Sequence, residues 1–321
     1  MTTIYDVARE AGVSISTVSL ALNSPERVRP ETLKRIMLAV DSLGFVPKSE
    51  AMARARRGTG RVGVIAPVTA FPTAFGLRLS GIFAGTKNEN MDIVLFDHES
   101  AATSRLVSLP VTRRVDGLII MSVPFDEAIE HRLLRQNIPT VLLEIPHRGF
   151  STVIVDHEGG GRDAGRLLVE RGHSRFGYLG ARQTHDYPSQ SRLQLAGFAS
   201  AIGTAPDTRS VDYGFANAVE AGTELLSQPD RPTAILAHDD LLASGLLLAA
   251  RQLGLAVPGD VAIVGFNDAH IAEPLGLTTV RQPFEESGRT AIRMLLERIA
   301  NPDISPRDVT LRVSLIERDT T

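Results

Sequence analysis

Short polar and methyl-bearing side chains recur at helical spacing between residues 14 and 23, in the stretch SISTVSLALN. Ser14 can cap a helix here, and Ile15, Ser16 and Ser19 would then lie on its outer face, opposite an apolar inner face. Hydroxyl groups can hydrogen-bond to base edges in the major groove of DNA, and a methyl-bearing side chain can contact a thymine methyl group. This face therefore has the chemistry to read DNA, although a helix that serves only for packing shows the same pattern.

A helix that reads the major groove of DNA needs another helix to hold it in place, and the sequence predicts one directly before it. Thr3 can cap a helix that begins at Ile4, with Asp6 placed as in a capping box. Apolar residues then recur at helical spacing as far as Ala11, and Gly12 ends the helix. Two short helices joined by a tight turn are typical of a helix-turn-helix, whose second helix enters the major groove.

A third helix is predicted from Pro30 to about Leu43, because proline suits the first helical turn and apolar residues repeat along the segment. Arg29 occupies its N-cap position, where it is a weak cap and could instead contact a phosphate group. The three helices define a predicted DNA-binding headpiece at residues 1–47.

Polar side chains also follow the apolar, strand-like runs in the rest of the chain. From Arg61 onward such runs alternate with helical segments, which is typical of parallel sheets covered by helices in an α/β fold. Ligands bind at the carboxyl ends of such strands. For any one of these residues taken alone, turn formation or helix capping is the favoured explanation, and Asp156 and Asp240 are predicted to be helix caps. The polar side chains at strand ends are Thr69, Ser122, Glu144, Asp156, Asp239 and Asn267.

The headpiece resembles the DNA-binding domain of the lac repressor (LacI/GalR) family. It matches the family pattern D-V-A-x-x-A-G-V-S-x-x-T-V-S-x-x-L-N from Asp6 to Asn23. Leu20 departs from the family, several of whose members carry an arginine or histidine there, and it predicts a different half-site, read through a thymine methyl group. The predicted DNA contacts in the headpiece are Thr3, Tyr5, Ser14, Ile15, Ser16, Thr17, Ser19, Leu20, Asn23 and Arg29.

Residues 48–61 form a short, basic, alanine-rich segment that resembles the family's hinge helix. In that family two hinges pair over the minor groove, and a leucine from each wedges between base pairs. The equivalent position here is Arg54 or Arg56, depending on the alignment, and Met52 is the nearest apolar substitute. We expect arginine contacts in the minor groove and a weaker kink, although a linker that contacts only phosphates explains the segment equally well.

The resemblance also covers residues 62–321. It implies a two-lobed core like that of periplasmic binding proteins, built from doubly wound parallel sheets, which binds a small effector, most often a sugar, between its lobes. Lobe 1 is expected at about 62–154 and 283–310, and lobe 2 at about 155–282 and 311–321. The strings that carry the resemblance are VDHEGGGRDAGRLLVERGHSRFGYL from Val155, SRLQLAGF from Ser191, AILAHDDLLASG from Ala234, VPGDVAIVGFND from Val257 and LTTVRQP from Leu277.

By position, the resemblance assigns effector contacts to both lobes. Arg192 is the strongest candidate, because its guanidinium can hold two ligand oxygens in a planar fork. Asp239 replaces the family's usual asparagine and Asn267 its usual aspartate, which alters the donors and acceptors offered to a ligand. The looser matches, in lobe 1, are Thr69, Ser122 and Glu144, with Phe71 as a ring that could stack on a sugar.

Two motifs suggest other functions. Residues 159–164 (GGGRDA) fit the G-x-G-x-x-A pattern of dinucleotide-binding enzymes, but the next strand, RFGYLGA, ends without the acidic residue that such sites need. The string from His238 to Asp240 could suggest a metal, but adjacent side chains rarely converge on one ion. No catalytic residue, cofactor or metal is predicted.

Charge is distributed unevenly along the 321 residues. Residues 1–61 carry ten Arg and Lys against six Asp and Glu, a net charge of +4, and residues 62–321 carry 24 against 31, a net charge of −7. A basic front end suits phosphate contacts, and an acidic body keeps the rest of the chain off the duplex. No cysteine, membrane-length apolar run or signal-peptide pattern occurs, so a cytoplasmic location is expected.

We therefore expect a ligand-responsive transcription regulator, specifically a repressor, that works as a homodimer on a near-palindromic operator. An effector would switch operator affinity by moving the two hinges apart, and a corepressor acting in the opposite sense is equally compatible with the sequence. The alternative is a solute-binding protein, or a sugar- or nucleotide-related enzyme, that uses the same core.

Overall fold

The computed structural model describes residues 2–45, 60–66, 72–87, 89–97, 115–122, 127–182 and 189–321. The chain divides into two compact units. The first comprises Met1–Ile154 and Phe284–Val309, and the second comprises Val155–Pro283 and Thr310–Thr321. Within the described ranges, no helix is both long and apolar enough to cross a membrane.

Three short helices form a headpiece at the N-terminal end of the first unit. Their inner faces meet in one apolar cluster, in which Val7, Val18 and Ile36 are completely buried. This burial holds the headpiece together, because helices this short are marginal in water on their own. The helices are α1 (Ile4–Glu10), α2 (Ile15–Asn23) and α3 (Pro30–Leu43), with a 3-10 turn at Pro25–Arg27.

The rest of the first unit is a six-stranded sheet with associated helices. Its strand order is β11-β5-β4-β3-β1-β2, and the pairs from β2 through β5 are parallel. The strands are β1 (Gly60–Ala66), β2 (Met91–Asp97), β3 (Gly117–Met121), β4 (Thr140–Leu143), β5 (Ser151–Val155) and β11 (Asp308–Leu311). The described helices are α4 (Pro72–Thr86), α5 (Glu127–Arg135) and α10 (Phe284–Ala300). Helix α10 packs against α4 and against β3 and β4.

The second unit repeats this architecture. Its sheet has the order β12-β10-β9-β8-β6-β7, in which only the pairing of β12 with β10 is antiparallel. The strands are β6 (Phe176–Ala181), β7 (Asp207–Val211), β8 (Ala234–Ala237), β9 (Ala262–Asn267), β10 (Thr278–Arg281) and β12 (Ser314–Ile316). The described helices are α6 (His157–Glu170), α7 (Gln190–Ile202), α8 (Phe215–Leu226) and α9 (Asp240–Gln252).

The predicted α/β class is confirmed, and each apolar run that was predicted to form a strand does so. Strand β7 was not predicted, because its sequence DTRSV is polar, and it lies at the edge of its sheet. Near the C-terminal end, the segment VTLRVSLIER contributes to two strands, because the chain passes from the first sheet to the second between β11 and β12.

Glycines allow two pairs of helices to approach closely, one pair in each unit. A side chain at Gly161 of α6 would overlap the carbonyl oxygen of Gln194 on α7, and one at Gly197 would overlap the carbonyl oxygen of Glu158. Gly160 faces the ring of Phe266 at a distance that leaves no room for a Cβ atom. In the GGGRDA string, Gly161 therefore serves helix packing and Gly160 serves packing against β9.

Candidate functional site

The first helix of the headpiece begins with the predicted capping box. The amide of Thr3 donates to the Asp6 carboxylate at 2.9 Å, and the amide of Asp6 donates to the Thr3 hydroxyl at 3.4 Å. The Thr3 hydroxyl also donates to this carboxylate at 2.7 Å. These hydrogen bonds, and then the charge of Arg9, lower the pKa of Asp6. Together they fix the position where α1 starts.

The tight turn between α1 and α2 is set by local geometry. Gly12 adopts a left-handed backbone, with φ +62°, that disfavours other residues. Ser14 then caps α2 by accepting a hydrogen bond from the amide of Thr17 at 3.1 Å. Its hydroxyl also lies 2.7 Å from the hydroxyls of Ser16 and Thr17. These contacts define where α2 starts, and a helix that reads bases needs a defined start.

The predicted reading face of α2 is open to solvent. Ile15 and Leu20 are 39% and 38% exposed, Ser16 is exposed, and Ser19 is half-buried. At this exposure Ile15 and Leu20 are available for apolar contact with thymine methyl groups. This face, defined by Ile15, Ser16, Ser19 and Leu20, is called the reading face below.

Two other predicted DNA contacts flank the reading face in sequence. Tyr5 on α1 is 67% exposed, and Arg29 is exposed at the N-cap of α3, where its side chain makes no capping hydrogen bond. Both side chains are accessible to a phosphate group. Asn23 belongs to α2, but its side chain is not described. The predicted hinge contacts Met52, Arg54 and Arg56 lie outside the described residues, as do Thr69 and Phe71.

Several predicted effector residues share an unusual backbone at the end of a strand. Ser122 follows β3 with φ +52°, Glu144 follows β4 with φ +64°, and Asn267 ends β9 with φ +110°. Non-glycine residues rarely adopt positive φ, and such strain concentrates at functional sites. In each unit, the strand ends at which the sequence predicts effector contacts therefore have an unusual backbone conformation.

In the first unit, Glu144 is engaged in a buried ion pair. Arg78 of α4 donates to the Glu144 carboxylate at 2.9 Å, and the two side chains are 6% and 3% exposed, respectively. The guanidinium of Arg78 also lies 5.1 Å from the centre of the Phe284 ring. Burial lowers the pKa of Arg78, and Glu144 opposes that shift. The hydroxyl of Ser122 is buried and has no hydrogen-bond partner among the described residues.

In the second unit, Asp239 is the N-cap of α9. Its carboxylate accepts from the amide of Leu242 at 2.9 Å and from the hydroxyl of Tyr213 at 2.6 Å. The prediction that Asp240 caps this helix is therefore wrong, whereas the predicted cap at Asp156 is confirmed. Burial, followed by the charge of Asp239, raises the pKa of Tyr213.

Asp240 instead connects α9 to the neighbouring strands. It accepts from the hydroxyl of Thr279 at 2.5 Å and from the amide of Ala269 at 2.6 Å. Burial raises the pKa of Asp240 to about 7, although both hydrogen bonds oppose the shift. The adjacent strand end is held in a similar way, because the side-chain oxygen of Asn267 accepts from the amide group of Gln282 at 2.5 Å.

Arg192 and Gln194 lie on different faces of α7. Arg192 is exposed in the first turn, where its amide donates to the Ser189 cap at 3.3 Å. Gln194 is completely buried, on the same face as Phe198. Two residues along a helix turn the side chain by about 200°, so Arg192 and Gln194 cannot both face inward.

Gln194 is the centre of a polar network that the sequence analysis missed. Its side-chain oxygen accepts from the Tyr178 hydroxyl at 3.3 Å and lies 2.9 Å from Nδ1 of His238. The side chains of Gln194 and His238 are therefore within hydrogen-bond distance of each other. Burial lowers the pKa of His238. The i, i+4 spacing of Gln194 and Phe198 was the available signal for a buried amide.

Metal binding finds no support in the parts of the chain that the structure describes. No group of three or more His, Asp or Glu side chains there is placed to hold an ion. His238 is directed to Gln194, and Asp239 and Asp240 are both used in hydrogen bonds. These polar side chains can hydrogen-bond to a polar ligand.

Comparison with known proteins gives two family matches. Residues 3–48 match the lacI family of bacterial regulatory proteins, and residues 165–321 match a periplasmic binding protein-like domain. The chain is also 30% identical to the HTH-type transcriptional repressor PurR of Photobacterium profundum, over 99% of this chain and 98% of that protein. It is equally similar, at 30% identity, to PurR of Escherichia coli O139:H28, of which it covers 96%.

Solved structures of similar fold include ligand and DNA complexes. The transcriptional regulator CelR with cellobiose has a TM-score of 0.73 and 27% identity, with both chains fully covered. A LacI-family regulator from Enterococcus faecium with bound ribose has a TM-score of 0.72 and 28% identity, over 81% of this chain and 98% of that chain. The lac repressor dimer bound to operator and the anti-inducer ONPF has a TM-score of 0.71 and 26% identity, over 100% and 99%.

Proposed function

Because this chain belongs to the lacI family of bacterial regulatory proteins, we propose that it is a transcription repressor whose affinity for an operator is switched by a sugar or sugar derivative. Family membership makes it a DNA-binding transcription regulator that responds to a small effector. The proposal adds the sign of regulation and the class of effector. It assigns no catalytic step to the chain and locates it in the cytoplasm, with the operator DNA.

The observation that carries the proposal is the open reading face of α2, on a headpiece with an intact capping box and turn. A helix held in this way can enter the major groove with Ile15, Ser16 and Leu20 against base edges. Tyr5 and Arg29 then contact phosphates and fix the register of the headpiece. In the hinge segment, Arg54 or Arg56 contacts the minor groove, with Met52 as the apolar group nearest to it.

Operator recognition requires two copies of the headpiece. We propose a homodimer on a near-palindromic site, since the symmetry of the protein is mirrored in the DNA. An edge of the first sheet supports self-association: β2 is an edge strand, its Leu95 is exposed, and Phe83 on the preceding helix is exposed as well. Exposed apolar groups at a strand edge favour contact with a second chain.

The effector class rests on related structures and on the chemistry of the strand ends. CelR holds cellobiose and the E. faecium regulator holds ribose, and both resemble this chain along most of its length. The strand ends of this chain offer hydroxyl, amide and carboxylate groups, which suit the hydroxyls of a sugar because these both donate and accept. The proposed effector contacts are Thr69, Phe71, Ser122, Glu144, Arg192, Asp239 and Asn267.

The proposal is tested by selecting duplexes from a random DNA library with the full chain at moderate salt. We expect the wild type to enrich an inverted repeat. A variant with Ile15→Glu and Leu20→Glu should enrich nothing, because it places two negative charges on the reading face. Val169→Glu, an exposed position on the second unit, serves as the control and should behave as the wild type.

The effector is then sought by adding cellobiose or ribose to the selected complex. A sugar that releases the protein from the operator would establish induction of a repressor. Enrichment that appears only when a sugar is present would instead establish corepression. If the wild type enriches no repeat with or without sugars, the proposed DNA-binding function is wrong.

A further inference from the structure

Two consecutive residues at the end of β9 have a left-handed backbone. Asn267, one of the proposed effector contacts, has φ +110°, and Asp268 has φ +53°. Residues other than glycine rarely adopt positive φ, and they keep it only where the surrounding structure over-determines their conformation. The contacts of Asp268 therefore indicate what keeps Asn267 in this conformation.

The Asp268 carboxylate is bound by two arginines from different segments. Its Oδ2 atom accepts from Nε of Arg281, on β10, at 2.7 Å, and its Oδ1 atom accepts from Nη2 of Arg318, in the segment after β12, at 2.7 Å. The Asp268 side chain is only 9% exposed. Burial alone would raise the pKa of Asp268, but the hydrogen bonds from Arg318 and Arg281 lower it. Both carboxylate oxygens are held at the same time, which fixes the orientation of the side chain.

Arg318 also closes the loop that follows β9. Its Nη1 atom donates to the carbonyl oxygen of Leu277 at 2.7 Å, at the far end of loop 268–277. One guanidinium thus connects the two ends of this loop. At the near end, the amide of Ala269 donates to the buried carboxylate of Asp240 at 2.6 Å. The backbone directly after β9 is therefore tied to its surroundings at several points.

The backbone of Asn267 determines where its side-chain amide lies. Its Oδ1 atom accepts from Nε2 of Gln282 at 2.5 Å, which leaves the two N–H donors of Nδ2 for another acceptor. Asn267 is half-buried, so these donors can reach a ligand at the carboxyl end of β9. A change of φ to a negative value would move the side chain and break its hydrogen bond with Gln282.

We propose that Asp268 is a positioning residue of the effector site, which holds Asn267 at positive φ and so presents its amide group to the effector. Asp268 can do this because two arginines fix its carboxylate, and it does not itself contact the effector. The assignment of Asn267 to the effector rests on the proposed function. The control of its backbone by Asp268 does not.

Crystal structures of the full chain without ligand test the control of the backbone. Asparagine tolerates a left-handed backbone as aspartate does, so Asp268→Asn removes the charge and keeps the local backbone preference. We expect Asn267 to relax to negative φ in this variant and to lose its hydrogen bond with Gln282. Arg171→Gln is the control, because it breaks only the exposed ion pair with Glu317, and it should leave Asn267 as in the wild type. A φ near +110° at Asn267 in Asp268→Asn would overturn the proposal.

Sugar binding tests the positioning role. Calorimetry with ribose and with cellobiose, at a temperature where every variant is folded, gives dissociation constants that a loss of stability alone does not change. For a sugar that binds the wild type, we expect Asp268→Asn and Arg281→Gln to weaken binding about tenfold, the equivalent of one lost hydrogen bond. Arg281→Lys, which keeps the ion pair, and the control Arg171→Gln should bind as the wild type does.

Two results separate this proposal from the proposed function. Equal sugar affinity of the wild type and Asp268→Asn would overturn the positioning role and leave the sugar class of effector standing. If neither sugar binds the wild type, the sugar class is wrong, and the crystal structures alone decide whether Asp268 controls Asn267.

Discussion

Glu144 shows how a single residue can satisfy a functional pattern and a structural role at once. The sequence places it at a strand end, among candidate effector contacts. In the structure it forms an ion pair with Arg78, and both side chains are buried. A buried guanidinium needs its counter-ion, because the cost of removing a charge from water is large. The ion pair therefore predicts a stability role for Glu144 that an effector contact would not have.

Replacing Glu144 tests this role. We expect Glu144→Gln to lower the free energy of unfolding by about 3–5 kcal/mol, the usual cost of breaking a buried ion pair, as measured by urea denaturation. Glu158→Gln is the control, since Glu158 pairs with Arg162 at 2.8 Å on an exposed helix face, and its loss should cost less than about 1 kcal/mol. Unchanged stability of Glu144→Gln together with weaker effector binding would assign Glu144 to the effector instead.

Asp240 predicts a defined pH dependence of stability. Its pKa is raised from 3.8 to about 7 by burial, so the folded state holds this proton more tightly than the unfolded chain. Between about pH 4 and pH 7 the unfolded chain has therefore released a proton that the folded chain retains, and the free energy of unfolding falls as pH rises. Below about pH 4 the free energy of unfolding does not depend on pH through this group, and above about pH 7 its decrease is complete.

The Asp240→Asn variant removes this titration. We expect its melting temperature, relative to that of the wild type, to be higher at pH 8 than at pH 5, because only the wild type must ionise a buried group. Thermal unfolding followed by circular dichroism at the two pH values measures the difference. An equal difference at both pH values would show that Asp240 does not titrate in this window.

Paired glycines are the recurrent feature at the level of elements. In the first unit, a side chain at Gly81 of α4 would overlap the carbonyl oxygen of Glu285, and one at Gly288 of α10 would overlap that of Arg78. The second unit has the same arrangement between α6 and α7. Each glycine lies three residues after a residue on its own helix whose carbonyl oxygen contacts the glycine of the partner helix. The two units thus use one solution to bring two helices into backbone contact.

Alanine substitution separates packing from helix propensity within α4. Gly81→Ala should lower the free energy of unfolding by about 1–3 kcal/mol or more, because a methyl group would force the backbones of α4 and α10 apart. Gly76→Ala is the matched control in the same helix: a Cβ atom there meets nothing within 4 Å. It should stabilise the protein by about 0.5–1 kcal/mol, since alanine is the better helix former. Urea denaturation that gave both variants the same sign would contradict this explanation.

The whole molecule separates its charges along the chain, with +4 on residues 1–61 and −7 on residues 62–321. Binding that neutralises DNA phosphates releases counter-ions, so affinity falls as salt rises. Contacts to bases carry specificity and contribute little to this dependence. The two classes of proposed contact are therefore separable by experiment.

Two headpiece variants make this distinction. We expect Arg29→Gln to reduce the slope of log affinity against log salt by about 1 per headpiece, without changing the preferred sequence. Leu20→Ala should leave the slope unchanged and relax the preference at one base pair of each half-site. Filter binding or fluorescence titration between low and moderate salt measures both. If Arg29→Gln changes base preference instead, Arg29 reads a base.

The sequence by itself determined the features that depend on neighbours within a few residues. The capping box of Thr3 and Asp6, the turn at Gly12 and the start of α3 at Pro30 were all predicted and observed, because each rests on hydrogen bonds or backbone preferences spanning at most four positions. Apolar runs predicted the buried strands for a similar reason, since the pattern lies within one element.

The tertiary structure decided which polar groups meet. Arg78 and Glu144 are 66 residues apart and Asp41 and Arg132 are 91 apart, so no local pattern could pair them. Helix α9 starts at Asp240, one residue earlier than a cap at Asp240 would require. Asp239 is therefore the cap, and Asp240 is buried. These outcomes depend on packing between distant elements, which fixes where a side chain points only after the sheets and helices have assembled.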